Sequence, residues 1–151
     1  MAPASTNYDV VPVLHNSQNS AGTTAFMTTV TGAGTDAIAA GTKYLANPGE
    51  VHAAAAVKLF LASAACTAQN LYASMETAPA GTDTSIFTVV QSVDNGATWT
   101  DTTLTVTITG TAKAGSDATH KVAVAAGTLL GVKEVTTGSV GAKCTATFQV
   151  A

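Results

Sequence analysis

The sequence predicts an all-β protein, an antiparallel β-sandwich with an extended N-terminal arm. Threonine, valine, alanine and glycine dominate the composition, and the β-branched residues among them favour strands. Short stretches in which apolar and polar residues alternate follow one another along the chain, as expected for half-buried strands. Segments rich in Gly, Asn, Asp and Pro separate these stretches and predict turns. Many short strands joined by turns are typical of an antiparallel sandwich or barrel.

Residues 1–35 are predicted to form the arm, and residues 36–151 the β-sandwich domain. The first segment mixes prolines with short polar runs, and Pro12 interrupts its one apolar stretch. A proline at such a place favours an edge strand or extended chain. An extended arm needs a surface to lie against, so its apolar residues are candidate partner contacts. These are Tyr8, Val10, Val11, Val13 and Leu14.

Five stretches of the second segment read as strands: "IFTVVQSV", "LTVTITG", "HKVAVAAG", "LLGVKEVT" and "KCTATFQV". Two of them alternate cleanly, and the alternate residues of each are expected to face the core. The expected core residues of these two strands are Leu104, Val106 and Ile108, and Cys144, Ala146, Phe148 and Val150.

The stretch "EVHAAAAVKLFLASAACTAQ", residues 50–69, allows two interpretations. Its alanines, which follow "NPG", are compatible with a helix. Its second half alternates like a strand, with Val57, Leu59 and Leu61 on one side. We favour a strand over residues 51–61, because the neighbouring predicted elements are strands, and the helix stays an alternative.

Composition excludes several classes of function. The net charge is −3, and all six cationic residues are lysines, without a basic cluster. Nucleic-acid binding is not expected, because it requires clustered cations. No apolar run approaches the roughly 20 residues that span a bilayer, so no membrane association is expected. The beginning of the chain has no signal-peptide pattern, which predicts synthesis in the cytoplasm. Cys66 and Cys144 are expected to be buried thiols.

No catalytic constellation is recognisable, so an enzyme is not expected and no catalytic residue, cofactor or metal is assigned. The only weak indication of a cation site is the oxygen-rich set Asp94, Asn95 and Asp101. A second hypothesis is a sugar-stacking surface built from Trp99 with Tyr8, Tyr44 and Tyr72. The simpler alternative is that Trp99 packs over its own hairpin.

The stretch "SVDNGATW", Ser92 to Trp99, resembles the Asp-box S-x-D-x-G-x-T-W of sialidases and related propellers. The Asp side chain of this motif accepts backbone N–H groups across a turn, and the glycine adopts a conformation that other residues resist. The predicted hairpin joins strands over residues 86–93 and 97–110. Its structural residues are Ser92, Asp94, Asn95, Gly96 and Trp99. Sialidases repeat the box and bind their substrate through arginines, which this chain does not contain, so the resemblance predicts a hairpin and no enzyme.

A longer resemblance covers residues 57–150. A strand leads to "NLYASMETAPAGTDTSIFTVV", and the hairpin, "LTVTITG" and "VAVAAGTLLGVKEVTTG" follow in that order. This order is similar to the jelly-roll-like β-sandwich domains of tailed-bacteriophage virions, which include capsid decoration proteins, head fibres and tail appendages. The resemblance implies a virion structural protein.

The most similar of these classes is the capsid decoration, or cement, protein. The resemblance then implies a homotrimer that binds the major capsid protein and stabilises the shell, located on the capsid surface and made in the host cytoplasm. The alternatives are a tail or head-fibre domain that binds a host surface, or a carbohydrate-binding β-sandwich module.

Overall fold

The protein is described here by a computed structural model, which covers residues 26–32, 41–45, 51–52, 60–138 and 144–151. The described residues form ten strands and no helix. The strands are β1 Phe26–Gly32, β2 Gly41–Leu45, β3 Val51–His52, β4 Phe60–Leu61, β5 Cys66–Met75, β6 Thr84–Ser92, β7 Thr100–Thr109, β8 Ala114–Val124, β9 Leu129–Thr136 and β10 Cys144–Val150. The predicted all-β fold is confirmed.

The strands form two antiparallel sheets that pack against each other as a sandwich. The four-stranded sheet has the order β1-β10-β5-β8. The six-stranded sheet has the order β3-β2-β9-β6-β7, and β4 also pairs with β9. The tight turn between β7 and β8 leads from the last strand of one sheet to the last strand of the other.

The two sheets share one apolar core, which the alternation along the strands produces. On β7 the residues Leu104, Val106 and Ile108 are buried, while the threonines between them are exposed or half-buried. On β10 every second residue from Cys144 to Val150 is buried, as predicted. The largest side chains between the sheets are Phe87 and Phe148, both fully buried. Cys66 is only half-buried, in contrast to the expected buried thiol.

A β-bulge in β5 changes which residues of that strand face the core, from even-numbered before the bulge to odd-numbered after it. Asn70 has a φ of 54°, and the pairing with β10 shifts between Thr147 and Gln149. Ala68 faces the core before the bulge, and Leu71 and the odd-numbered residues face it afterwards. The amide of Asn70 donates to the Gln149 side chain over 2.7 Å, which holds the extra residue on the outer side.

One carboxylate connects the open edges of the two sheets. Asp117 of β8 is buried, and its Oδ2 accepts the backbone N–H of Thr105 on β7 at 3.1 Å. Its Oδ1 accepts the backbone N–H groups of Thr119 and His120, each at 3.1 Å. The same carboxylate contacts His120 Nδ1 at 2.8 Å. Burial raises the pKa of Asp117, but these bonds outweigh it and lower the pKa to about 2.

The structure describes only part of the ambiguous segment and of the arm. Residues 51–52 and 60–61 form strands, and β5 begins at Cys66, whereas residues 53–59 lie outside the described residues. Phe26–Gly32, within the range of the predicted arm, forms β1 and pairs with β10. The arm contacts Tyr8, Val10, Val11, Val13 and Leu14 lie outside the described residues, so the arm stays a prediction.

Candidate functional site

The Asp-box forms a hairpin loop between β6 and β7, close to the predicted place. The last residue pair of the two strands is Gln91 with Thr100, so the box fills the loop between them. Within the loop, the Ser92 hydroxyl donates to Asp94 Oδ1 over 2.7 Å and accepts the N–H of Gly96 at 2.8 Å. Asp94 Oδ1 also accepts the N–H of Thr98 at 2.9 Å. The Thr98 hydroxyl donates to Asp94 Oδ2 over 2.5 Å.

These contacts explain the residue types of the motif. Asn95 and Gly96 have φ values of 59° and 91°, in the left-handed region that Asn and Gly tolerate. The hydroxyl and N–H of Thr98, followed by the Ser92 hydroxyl, lower the pKa of Asp94 to about 2. Every oxygen contact of Asp94 described here goes to its own loop, so the hairpin interpretation accounts for the motif.

Replacing Asp94 by alanine is expected to loosen this loop while the sandwich stays folded. The loop loses the acceptor for both donors of Thr98 and for Ser92, whereas the strand ladder does not depend on it. We expect faster proteolytic cleavage within residues 92–99 and a red shift of Trp99 fluorescence. Ala97→Ser, an exposed change in the same loop, is the control. Equal cleavage rates for Asp94→Ala and wild type would contradict the assigned role of Asp94.

Trp99 leaves the hairpin and lies over the outer face of the six-stranded sheet. Gly131 lies between the core residues Leu130 and Val132, so it faces outward. A Cβ added to Gly131 would stand 3.3 Å from Trp99 Cζ3 and 3.4 Å from Val90 Cγ2. The indole therefore rests directly on the backbone of β9. Trp99 thus reaches beyond its own hairpin to β9.

Tyr44 of β2 completes an aromatic pair on this outer face. Its ring centroid lies 6.5 Å from that of Trp99, and the ring planes differ by 46°. Both side chains are half-buried. We call Tyr44, Trp99 and the underlying Gly131 the aromatic platform. Of the four aromatic residues singled out in the sequence, Tyr8 lies outside the described residues and Tyr72 belongs to the other sheet.

An ion pair borders the aromatic platform. Lys133 of β9 pairs with Tyr44 across the sheet, and its Nζ lies 2.5 Å from Asp101 Oδ2 on β7. The Asp101 side chain is 57% exposed and that of Lys133 17%. The Asp101 carboxylate therefore forms an ion pair with Lys133. Among the described residues, no group of three or more His, Cys, Asp or Glu side chains is arranged to hold a metal ion.

Compared with known proteins, the chain matches no family model, no curated protein and no solved structure. The functional interpretation therefore depends on the surfaces and buried groups of the sandwich itself. In the part of the chain that the structure describes, no helix is long and apolar enough to cross a membrane.

The outer face of the four-stranded sheet is a second distinctive surface. Its central strands β5 and β10 contain no charged residue. Tyr72 is 51% exposed in the middle of β5 and pairs with Thr147 on one side and Ser116 on the other. We call the outward side of β5 and β10 the neutral face. Its described outward residues on β5 and β10 are Thr67, Gln69, Asn70, Tyr72, Ser74, Thr145, Thr147 and Gln149.

A buried carboxyl group lies between the sheets and was not expected from the sequence. Glu134 of β9 is fully buried, and its Oε2 accepts a weak hydrogen bond from the Cys144 thiol over 3.6 Å. Its Oε1 and the hydroxyls of Ser85 and Thr136 beside it make no hydrogen bond of good geometry with the described residues. Burial raises the pKa of Glu134, and the Cys144 contact, the charge of Lys43 and the nearby Ser85 hydroxyl lower it by less. Burial also raises the pKa of Cys144.

The sequence pattern around Glu134 does not predict its burial. In "LLGVKEVT" charged and apolar residues do not separate cleanly onto two faces, so the pattern leaves the facing of Glu134 open. The structure settles it, because Glu134 shares its face with the core residue Val132. Glu134, Ser85, Thr136 and Cys144 are all buried, so we expect this cluster to affect the stability of the fold.

Proposed function

We propose that the protein is a non-enzymatic virion structural protein, a capsid decoration (cement) protein that binds the major capsid protein shell and stabilises it as a homotrimer. The observation that carries the proposal is the neutral face. It supports a contact with protein, and the resemblance of residues 57–150 to tailed-phage β-sandwich proteins supports the virion setting.

The chemistry of the neutral face fits a protein–protein contact. The centres of such interfaces are depleted in charged residues and enriched in tyrosine. The central strands β5 and β10 combine both properties, with Tyr72 half exposed among uncharged side chains. A Thr- and Gln-rich face also offers hydrogen-bond donors and acceptors without the desolvation cost of charges. We assign this face to the contact with the shell.

The low charge of the whole chain agrees with this role. Only 10% of the residues are charged, which gives little electrostatic repulsion between copies. A subunit that is held in a symmetric assembly tolerates such a surface because neighbours cover it. The predicted arm, with Tyr8, Val10, Val11, Val13 and Leu14, adds a second contact to the shell under this proposal.

The proposal predicts that a charge on the neutral face prevents attachment to capsids. The full-length chain is co-expressed with the major capsid protein of the same genome, and particles are purified by sedimentation. We expect the wild type to co-sediment and Tyr72→Lys to lose at least about 1.4 kcal/mol of binding, or tenfold in affinity. Deletion of residues 1–20 is expected to weaken attachment as well.

The matched control is Thr107→Lys, which adds the same charge to an exposed outward position of the six-stranded sheet. It should attach like the wild type. Wild-type protein that stays in the supernatant would refute the cement function. Full occupancy by Tyr72→Lys would place the contact on another surface, and full occupancy by the truncated chain would remove the arm as an anchor.

A further inference from the structure

The aromatic platform has the composition and rigidity of a carbohydrate site, on the opposite side of the sandwich from the neutral face. We propose that it binds neutral pyranose units of a polysaccharide through stacking on Trp99 and Tyr44. This function is separate from the proposed attachment to a capsid and does not depend on it.

The support beneath Trp99 keeps the indole in place. Its ring lies on Gly131, where an added Cβ would stand only 3.3 Å from the indole. Val90, which would lie 3.4 Å from the same Cβ, is 1% exposed although it faces away from the core. The Asp-box contacts fix the backbone that leads into Trp99. A stacking residue that is already ordered loses little conformational entropy when a ligand binds. The platform is therefore pre-organised.

The pair of rings suits consecutive sugar units better than a single one. The centroids lie 6.5 Å apart, and the 46° between the planes prevents both rings from lying flat on the same pyranose. Each ring can stack on the apolar C–H face of a different unit. Aromatic residues that expose part of a ring and have polar neighbours are suited to ligands with both apolar faces and hydroxyl edges.

The bordering ion pair supplies hydrogen bonds for the hydroxyl groups. The Asp101 carboxylate is more than half exposed, so it keeps acceptor sites beyond its contact with Lys133. The Lys133 ammonium is a donor beside it. Because the two charges compensate each other, the site favours a neutral sugar over a carboxylated one. The chain also lacks arginine, the residue that binds carboxylates in bidentate fashion.

Trp99 is the only tryptophan of the chain, so its fluorescence reports on the platform directly. The full-length protein is screened on an array of neutral and acidic oligosaccharides, and the best neutral ligand is titrated while Trp99 emission is recorded. We expect saturable binding that shifts the emission. Tyr44→Leu should weaken it about tenfold, equivalent to about 1.4 kcal/mol of stacking and contact energy. Asp101→Asn should weaken it as well.

Tyr72→Ser is the matched control, because it removes a half-exposed tyrosine from the other sheet. It should leave sugar binding unchanged. Trp99→Ala tests the second ring on the glycan array, since it has no tryptophan emission, and its thermal unfolding shows whether the fold survives. The proposal is overturned if no neutral glycan binds, if acidic glycans bind more tightly, or if Tyr44→Leu and Asp101→Asn bind like the wild type. Loss of capsid attachment in Tyr44→Leu without any glycan binding would identify a protein contact and also overturn it.

Discussion

Replacing Glu134 by glutamine is expected to stabilise the protein at neutral pH, with a gain that vanishes in acid. The carboxyl group is fully buried, and one of its oxygens has no partner among the described residues. Burial therefore raises its pKa above the ordinary value of 4.5. Glutamine has the same shape as the protonated acid but does not ionise, so it removes the cost of a buried charge.

The sign of the pH dependence follows from the raised pKa. Below pH 4.5, Glu134 is protonated in both the folded and the unfolded chain, so wild type and Glu134→Gln should be similar in stability. As the pH rises above 4.5, the unfolded chain ionises first, and the wild type loses stability until the pH passes the folded pKa. Each unit of pKa difference costs about 1.4 kcal/mol. The gain of Glu134→Gln should grow over this range and then level off.

Urea unfolding at pH 4, 5.5 and 7 measures this effect. Glu76→Gln is the control, because Glu76 is exposed just after β5. It should change the free energy of unfolding by less than about 0.5 kcal/mol. A Glu134→Gln protein that is less stable than the wild type at pH 7 would show that Glu134 is charged in the fold and held by a cation, with Lys43 as the candidate.

Replacing Asp117 by alanine is expected to have the opposite effect, a loss of about 2–4 kcal/mol at pH 7. The Asp117 carboxylate accepts backbone N–H groups of Thr105, Thr119 and His120 and joins the two sheets through β7 and β8. Hydrogen bonds to a charged group contribute about 1.5–3 kcal/mol each, and donors left without a partner add a penalty. Water that enters the open edge offsets part of this loss.

Asp117 also makes the wild type sensitive to strong acid. Its pKa is about 2 in the folded protein and 3.8 ordinarily. The stability it contributes is complete above about pH 4 and is lost as the pH falls through 2. This difference corresponds to about 2 kcal/mol. Asp117→Ala should therefore show a flatter stability profile between pH 4 and 2 than the wild type.

Asp101→Ala is the comparison for Asp117→Ala, since it removes a carboxylate of β7 that is mostly exposed and paired with Lys133. An exposed ion pair contributes about 0–1 kcal/mol. Thermal and urea unfolding should rank the two variants clearly. If Asp117→Ala is no less stable than Asp101→Ala, Asp117 does not connect the sheets.

Local patterns were sufficient to predict the fold class and the five strands from β6 to β10. Strands β7 and β10 follow from alternation, and the hairpin follows from the Asp-box, because the atoms that decide both lie within a few residues of one another. The bulge at Asn70 was not predictable, since it changes which residues face the core only when β5 pairs with β10. Asp117 contacts Thr105, and Trp99 lies beside Tyr44, across different strands. A single sequence does not show which strands lie next to each other, so these contacts could not be predicted.

The candidate sites also combine features that one strand shows with features that depend on which strands are neighbours. The alternation of β10 placed Thr147 on the side opposite Cys144 and Phe148, but the sequence did not place Tyr72. Only the sheet order β1-β10-β5-β8 brings β5 and β10 together as one uncharged surface. Apolar residues occupy both alternating faces around Glu134 in the sequence, so only the structure shows that Glu134 is buried. The sequence suggests Trp99 and Tyr44 as a pair only because both are aromatic, whereas the 6.5 Å between their ring centroids follows from the fold.

The position of β10 has a consequence for how the protein folds. β10 inserts between β1 and β5, so residues 144–150 join two strands that come from far earlier in the chain. Until β10 is in place, β1 and β5 have no shared partner, and their uncharged edges are open to other chains. Such non-local pairing folds slowly, on the order of milliseconds to seconds. Aggregation before β10 is in place is therefore the expected hazard of this topology, and β5, one of the two strands of the neutral face, is exposed to it.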